Sequence, residues 1–497
     1  MSYRNKNILN LIIIVLLTIA TTAAVDPTLT KIKYAWPLLP ALLLARYSKW
    51  MLRIALVMLL IFALYSPIAT IYGRPTLAML ASALETTPNE SGEFLSNIRW
   101  VSYLIGIGFI ILSILYYRTA TLFKARKIAY VLIIPTFLYT LMSSWPGTLI
   151  RDTIRHSIRY TENHQQLVAS LAKQDSWQIS TNADHNRYQN YVLIIGESAR
   201  KDYFSLYGYP HKTTPWLDQS NGIFIDGMLA SGANTIAALS HTLQQLDEHG
   251  NAIPENNIIT LANKAGYQTY WLSNQGRLGK YDTSTSFVAM RTKKATFLNN
   301  GTWADTNYDD NLLLDKLAST LDQPEPNNTP RLIVMHTLGS HPIACERLHG
   351  FPNHFDLNHG QDLNCYLASI EKTDDFIHQT ADILAQHGSY SLIYFSDHGL
   401  SITPQAITQS DDIINSYEVP LILIDSDAQA HRVVQKALSG AHFIDIFASW
   451  LGIDIKGYTE EYDLRQPDKL PEDKNIQIYQ RDHLTDPATL PREPLMQ

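Results

Sequence analysis

Four stretches within the first 145 residues, Ile8 to Val25, Leu52 to Tyr72, Val101 to Tyr117 and Ile128 to Trp145, are apolar and nearly free of charge. Each approaches or reaches the ~20 apolar residues that a membrane-spanning helix needs. A fifth segment, Tyr34 to Leu44, is shorter and carries Pro37 and Pro40. The first stretch follows Arg4 and Lys6 and ends in a cleavage-like Ala-Thr-Thr-Ala-Ala, so it reads either as a signal peptide or as a retained anchor. The further spans behind it favour the anchor. Loop charge agrees with five spans, since the loops Arg46 to Arg53 and Arg118 to Lys127 are basic, as cytoplasmic loops are. The loop between Arg74 and Arg99 instead contains Glu85, Glu90 and Glu93, while Lys31 and Lys33 argue slightly the other way. With the N-terminus inside, five spans leave everything after Trp145 outside the cytoplasm. In a double-membrane bacterium that is an inner-membrane protein with a periplasmic domain.

The 497 residues suffice for this module and one large globular domain. The expected division is a transmembrane module over 1–145, an amphipathic connector and linker over 146–189, and a catalytic domain over 190–497. A net charge of -7 offers no basic field for nucleic acid. The two cysteines, Cys345 and Cys365, both fall in the last part. An exported domain would join them in a disulfide, whereas a cytosolic one would keep two thiols.

In the connector, Leu149, Ile150, Ile154 and Ile158 recur at helical spacing among Arg151, Arg155 and Arg159. Such a helix either lies on an anionic bilayer surface or packs on the soluble domain. Beyond it strands and helices alternate. Apolar strands are expected at Tyr191 to Ile195, Ile223 to Gly227, Gln268 to Leu272, Arg331 to Thr337, Ser391 to Phe395 and Pro420 to Asp425. Helices are expected at Thr235 to Leu246, Glu255 to Ala265, Asp310 to Leu321, Cys365 to Gln386 and His442 to Leu451. This alternation predicts an α/β domain with a parallel-rich sheet and helices on both faces. The chain after Leu451 is polar and proline-rich, with little to suggest a core.

Chemistry gathers at the strand ends. The strand Tyr191 to Ile195 runs into Gly196-Glu197-Ser198, and a carboxylate there sits where open α/β sheets place their ligands. The plainer reading makes Glu197 a helix cap. A second strand ends in Ser396-Asp397-His398-Gly399, and adjacent Asp and His at a strand end suit a divalent metal. Ala230-Ser231-Gly232-Ala233-Asn234-Thr235 is a small-residue loop entering a helix, where Thr235 could simply be the N-cap. Gly339-Ser340-His341 follows the strand Arg331 to Thr337.

GESAR, the threonine segment, the Gly-Ser-His and the SDHG, in this order behind a membrane-spanning front, resemble the membrane phosphoethanolamine transferases of the alkaline phosphatase and sulfatase superfamily. The resemblance implies a sulfatase-like α/β/α domain with Thr235 as nucleophile and Glu197, Asp397 and His398 as ligands of a metal, Thr235 taking the fourth position. It places His341 near the transferred phosphate. Ser231, Asn234 and Thr242 are lesser candidates for the nucleophile. Imidazole among the ligands points to zinc rather than manganese or magnesium. The implied donor is phosphatidylethanolamine and the implied acceptor lipopolysaccharide. The family's lipid A members carry a further histidine shortly after the DHG turn, but Gly399 to Asp411 contains none and Leu400 replaces a usual acidic residue. That departure favours an inner-core sugar over lipid A and leaves His211 or His241 as substitutes. A phosphoglycerol transferase would use nearly the same ligands. A non-catalytic lipid sensor would have lost them. A sulfatase is set aside, because no C/S-x-P-x-R motif follows GESAR.

Overall fold

The computed structural model describes residues 3–25, 34–75, 80, 98–170, 172–181, 187–275, 284–298, 308–325, 329–404, 406–456, 462–481 and 483–496. Lys31, Lys33, Glu85, Glu90 and Glu93 lie outside them. The chain forms two compact units, 1–83 with 90–161, and 84–89 with 162–497.

The first unit is helical, with α1 (Tyr3–Val25), α2 (Leu38–Leu44), α3 (Lys49–Tyr72), α4 (Trp100–Thr119), α5 (Tyr130–Ser143) and the start of α6 (Trp145–Ser170). Leu17, Leu42, Leu59, Phe62, Phe109, Phe137 and Trp145 fill its interior. Outside, Ile12, Ile19, Leu64, Ile107, Ile111 and Leu132 are exposed, an apolar exterior suited to lipid. Among the described residues three helices are long and apolar enough to cross a membrane, Arg4–Val25, Lys49–Thr70 and Trp100–Thr119. A fourth span results if Lys127–Ser143 and Trp145–Ser170 are one bent pair, and Leu38–Tyr47 is too short to cross alone. By length and composition the described residues thus give three or four such spans where five are expected, since extended backbone at Ser144 breaks one run and the proline-bearing segment is short. In α6, Ile154 and Ile158 are exposed between exposed Arg151, Arg155 and Arg159.

The second unit is built on an eight-stranded sheet. Its strands are β1 (Asn190–Gly196), β2 (Gly222–Leu229), β3 (Gln268–Ser273), β4 (Lys294–Phe297), β5 (Arg331–His336), β6 (Tyr390–Ser396), β7 (Leu421–Asp425) and β8 (His431–Ser439). In space they run β8-β2-β7-β6-β1-β5-β3-β4. All neighbours pair in parallel except β7, which is antiparallel to β6 and β2. The apolar runs of β1 and β6 are buried on both faces, as central parallel strands must be. Tyr191, Leu193 and Ile195 join one layer of core with α8 (Ile258–Lys264) and α11 (Phe443–Leu451). Val192 and Ile194 point the other way, onto α9 (Leu312–Leu321) and α10 (Gln361–Ala385). The result is helix–sheet–helix, with the carboxyl ends of β1, β2, β3, β5 and β6 along one edge.

Several elements differ from expectation. The helix opened by Thr235, α7 (Thr235–Thr242), stops at Thr242, and Gln244–Leu246 instead pairs with Ala252–Asn257. Asn257 caps α8 through a capping box with Thr260, so that helix starts later than Glu255. The edge strands β4 and β8 carry exposed polar residues and no alternating apolar pattern. The polar tail does contribute to the core, since Tyr462, Leu464 and Leu470 join one layer and Met496 the other. Cys345 and Cys365 are bridged by a disulfide.

A candidate metal centre at the strand ends

Three parallel strands bring the chemistry together. Where β1 ends, a side chain on Gly196 would collide with the Tyr394 hydroxyl at 2.4 Å and with its ring carbons at 2.7 Å. Ser198 then takes a left-handed φ of 59°, an uncommon conformation for a residue with a side chain. This sharp turn aims Ser198 N at Asp397 Oδ1, 3.0 Å away on the next strand end. On the other side, Gly339 at φ 47° lets the loop after β5 lie against Glu197, whose carbonyl accepts Ser340 N at 2.9 Å. Asp310 holds that loop by accepting Leu338 N and Gly339 N at 2.8 and 2.9 Å, and its own pKa is raised by burial.

Glu197, Asp397 and His398 thereby converge, with one ligand atom from each lying within 4.8 Å of the others. All three are buried. His398 Nε2 stands 3.4 Å from Glu197 Oε1 and 3.4 Å from Asp397 Oδ2. Its Nδ1 lies 2.7 Å from the Gly399 carbonyl and donates to it, which fixes the tautomer with Nε2 as the ligating nitrogen. Thr235 Oγ1 donates to Glu197 Oε2 at 3.0 Å and lies 3.4 Å from His398 Nε2. A divalent ion at about 2.0–2.2 Å from tetrahedral ligands keeps them about 3.3–3.6 Å apart, so these separations suit one. Asp397 Oδ2 accepts no hydrogen bond despite its burial, as a ligand oxygen would be left without its ion. The donor set, two carboxylates and one imidazole, could hold a metal.

Electrostatics point the same way. Burial pushes Asp397 up, and the neighbouring Glu197 charge adds to that. For Glu197 burial also acts upward, but the hydrogen bond and charge of His398, with the charge of His341, hold it below the carboxylate range. Burial alone would lower His398, yet the two carboxylates around it push it up to about 9. The cluster thus favours positive charge at its centre.

Asn234, not Thr235, caps α7, accepting Ala237 N at 3.0 Å. Thr235 is the first helical residue, with its hydroxyl turned to the cluster. Glu197 caps no helix; a short 3-10 turn follows it at Lys201–Tyr203. His341 Nδ1 donates to the Pro342 carbonyl at 2.6 Å, so a phosphate contact would run through Nε2. The lesser candidates Ser231 and Thr242 bond to each other at 3.2 Å. His211 packs on Tyr209, and His241 stacks on Tyr479, so neither is among the groups bonded to the cluster. His336 is buried against the edge of Trp271, and burial lowers its pKa to about 4. Gln275, beyond the end of β3, has no sequence signal beyond that position, yet its Nε2 reaches Glu197 Oε2 at 3.0 Å and the Thr337 carbonyl at 3.1 Å.

Residues 189–453 match the Sulfatase family. Over 430 residues the chain is 33% identical to the phosphoethanolamine transferase OpgE of Escherichia coli, spanning 81% of this chain and 80% of that one. The chain belongs to the phosphoethanolamine transferases of the sulfatase superfamily. It is also 37% identical over 363 residues to a putative phosphoethanolamine transferase of Haemophilus influenzae, covering 70% of this chain and 73% of that one. The integral membrane phosphoethanolamine transferase A (EptA) of Neisseria meningitidis has the same fold, with a TM-score of 0.62 at 17% identity over 90% of this chain and 95% of that one. So has the periplasmic domain of E. coli EptC, solved in complex with Zn, with a TM-score of 0.53 at 24% identity over 63% and 96%. With its apolar helices, this family member is an inner-membrane protein with a periplasmic soluble domain.

Proposed function

We propose that this enzyme transfers phosphoethanolamine from phosphatidylethanolamine to a sugar hydroxyl of lipopolysaccharide, in its inner core, through a phosphoethanolamine-threonine intermediate at Thr235. The observation that carries this reading is the Thr235 hydroxyl, bonded to Glu197 at the mouth of a buried three-ligand cluster.

Zinc held by Glu197, Asp397 and His398 would supply Lewis-acid charge that lowers the pKa of the threonine hydroxyl. Thr235 Oγ1 forms its bond to the donor phosphorus while the bond from phosphorus to the diacylglycerol oxygen breaks. The hydroxyl proton passes toward Glu197 Oε2, 3.0 Å away, and the departing diacylglycerol oxygen gains a proton. With its ring protonated, His341 donates from Nε2 to a phosphate oxygen or gives that proton to the leaving group, while Nδ1 stays on the Pro342 carbonyl. The N-terminus of α7 adds partial positive charge behind the nucleophile. In the second half, His341, having given up its proton, takes that of an acceptor hydroxyl. The hydroxyl oxygen bonds to the same phosphorus as the bond to Thr235 breaks, and Thr235 Oγ1 regains its proton from Glu197 Oε2. Most of the catalytic effect in such a transfer comes from positioning and charge stabilisation. A membrane anchor suits two substrates that reside in the bilayer.

The test is mass spectrometry of lipopolysaccharide from cells with the protein, without it, and with Thr235→Ala. A phosphoethanolamine increment that needs Thr235 and maps to a core sugar supports the reading; no increment with the wild-type protein rejects this acceptor.

A further inference from the structure

The second unit contains a cleft of about 240 Å³, lined in part by Ser231 and His241, at the end of α7 away from Thr235, where Ser231 bonds to Thr242. Ser231 stands four positions before Thr235 and His241 six after it, so one wall is the nucleophile-bearing segment itself. At 1.5 Å per residue, His241 is about 9 Å along the helix from Thr235. The facing wall is fastened to the same loop. Tyr479 N donates to the Ser231 carbonyl at 2.8 Å, and Tyr479 forms a parallel bridge with Gly232. A ligand in the cleft is therefore held by the segment that carries Thr235, about 9 Å from it along the helix axis.

The lining indicates what kind of ligand. The Tyr479 ring stacks on His241 with centroids 3.7 Å apart, and Leu246 and Leu484 continue this apolar floor. Around it stand Gln477, Glu248 and Lys474, while the lining Asp473 has its buried carboxylate taken up by Ser439 N, His442 and the Tyr462 hydroxyl. Asp473 is paired with His442 at 2.9 Å. His241 Nδ1 donates to the Ala237 carbonyl at 2.6 Å, and burial lowers the ring's pKa to about 4, so the imidazole is neutral and Nε2 is an acceptor. With the imidazole neutral, Asp473 paired, and Glu248 offsetting Lys474, the cleft offers no concentrated positive charge to a phosphate or a sugar acid. A flat apolar floor ringed by uncharged and mixed-charge hydrogen-bonding groups matches a neutral polyhydroxylated ring.

Resting on the transferase reading above, we propose that this cleft is the acceptor subsite and binds one neutral sugar residue of the acceptor chain, so that a hydroxyl of the adjoining sugar meets Thr235.

Two rates separate this proposal from the reading beneath it. Full-length protein in detergent, given phosphatidylethanolamine and a bacterial envelope extract, is assayed for diacylglycerol release and for phosphoethanolamine on glycans. Gln477→Trp, which fills the cleft from its rim, and Tyr479→Ala, which removes its floor, should each lower the ratio of transfer to release at least about tenfold, with a raised KM for the acceptor extract. An unchanged ratio in Gln477→Trp overturns the proposal even if Tyr479→Ala disturbs the loop. Fragmentation of the wild-type product gives a second check: a modified sugar flanked only by phosphorylated or acidic residues overturns it, and a neutral neighbour supports it. Recovery of the product in the lipid extract or in the water-soluble fraction tells a glycolipid from a free glycan. No diacylglycerol release from the wild type would reject the transferase reading, and this proposal with it.

Discussion

Thr235 and Glu197, 38 positions apart in the chain, meet at 3.0 Å, Oγ1 donating to Oε2. The same carboxylate oxygen accepts Gln275 Nε2, also at 3.0 Å. Because Asn234 already satisfies the helix end, the threonine hydroxyl is not needed as a cap. It is held instead by a group that can receive its proton. Glu197 thus links the proposed nucleophile to the candidate metal centre, and its position depends on three strand ends rather than on one.

Thr235→Ala should lower diacylglycerol release from phosphatidylethanolamine by at least about a thousandfold, since Thr235 Oγ1 is the hydroxyl that contacts both Glu197 Oε2 and His398 Nε2, whereas Ser198 Oγ bonds only Glu197 Oε1. Thr235→Ser keeps the oxygen and should retain a measurable fraction. Wild-type protein given donor but no acceptor should yield a proteolytic peptide bearing phosphoethanolamine on residue 235. Modification mapped to another residue would remove Thr235 from the reaction.

The ligand cluster predicts one tightly bound metal ion per chain, zinc by the proposed reading. Asp397→Ala combined with His398→Ala should abolish it by elemental analysis. Chelation of the wild-type protein should lower its Tm, because an ion that binds only the folded state stabilises it. The double variant should be insensitive to chelator. A full metal complement in that variant would place the site elsewhere.

Asp374 gives the soluble domain a pH dependence separate from the metal. It accepts the backbone N–H groups of Trp216 and Leu217 at 2.9 Å each, yet burial, with smaller help from Asp218 and Asp375, raises its pKa to about 7. An unfolded chain has about 3.9 for this group, so the folded state binds the proton more tightly. The folded state therefore loses stability as pH rises from about 4 to 7, by up to a few kcal/mol, and the loss is complete above that. Asp374→Asn removes the titration. The Tm difference between variant and wild type should shift in the variant's favour from pH 5 to pH 8, and a difference independent of pH would contradict this.

How much could be read beforehand follows from burial. Tyr191 to Ile195 and Ser391 to Phe395 are strands buried on both faces, and such strands show as unbroken apolar runs. Glu197, Asp397 and His398 were legible because they end these runs. The strand β8 was not, since its first residues, His431, Arg432 and Val433, face solvent. Leu246 continues the apolar pattern of α7, but Gln244–Leu246 is taken up by pairing with a later strand, and local spacing cannot show that. Gln275 reaches Glu197 only because β3 lies beside β5, a fact of sheet order. The tail packs through single residues separated by polar and proline positions, so no periodicity marks it.

That tail makes the last prediction. Arg200 is fully buried, bonded to Asp202 at 2.6 and 2.9 Å and to the Leu400 carbonyl at 3.1 Å. Glu493 reaches in from the tail, 3.5 Å from Arg200 Nη1, and accepts both the Ser401 hydroxyl and Ile402 N, the latter at 2.9 Å. It thereby clamps residues 400–402, directly behind the ligand His398. Glu493→Ala leaves Ile402 N and part of the Arg200 charge without a buried acceptor, which costs about 1–3 kcal/mol. Because the same loop positions His398, metal affinity should fall with stability, and Glu493→Gln, which keeps one acceptor oxygen, should lose less of both. Denaturation midpoints and competitive metal titration of the full chain read the two effects together. If Glu493→Ala destabilised the protein but left metal affinity unchanged, the clamp would hold the tail without positioning the ligand.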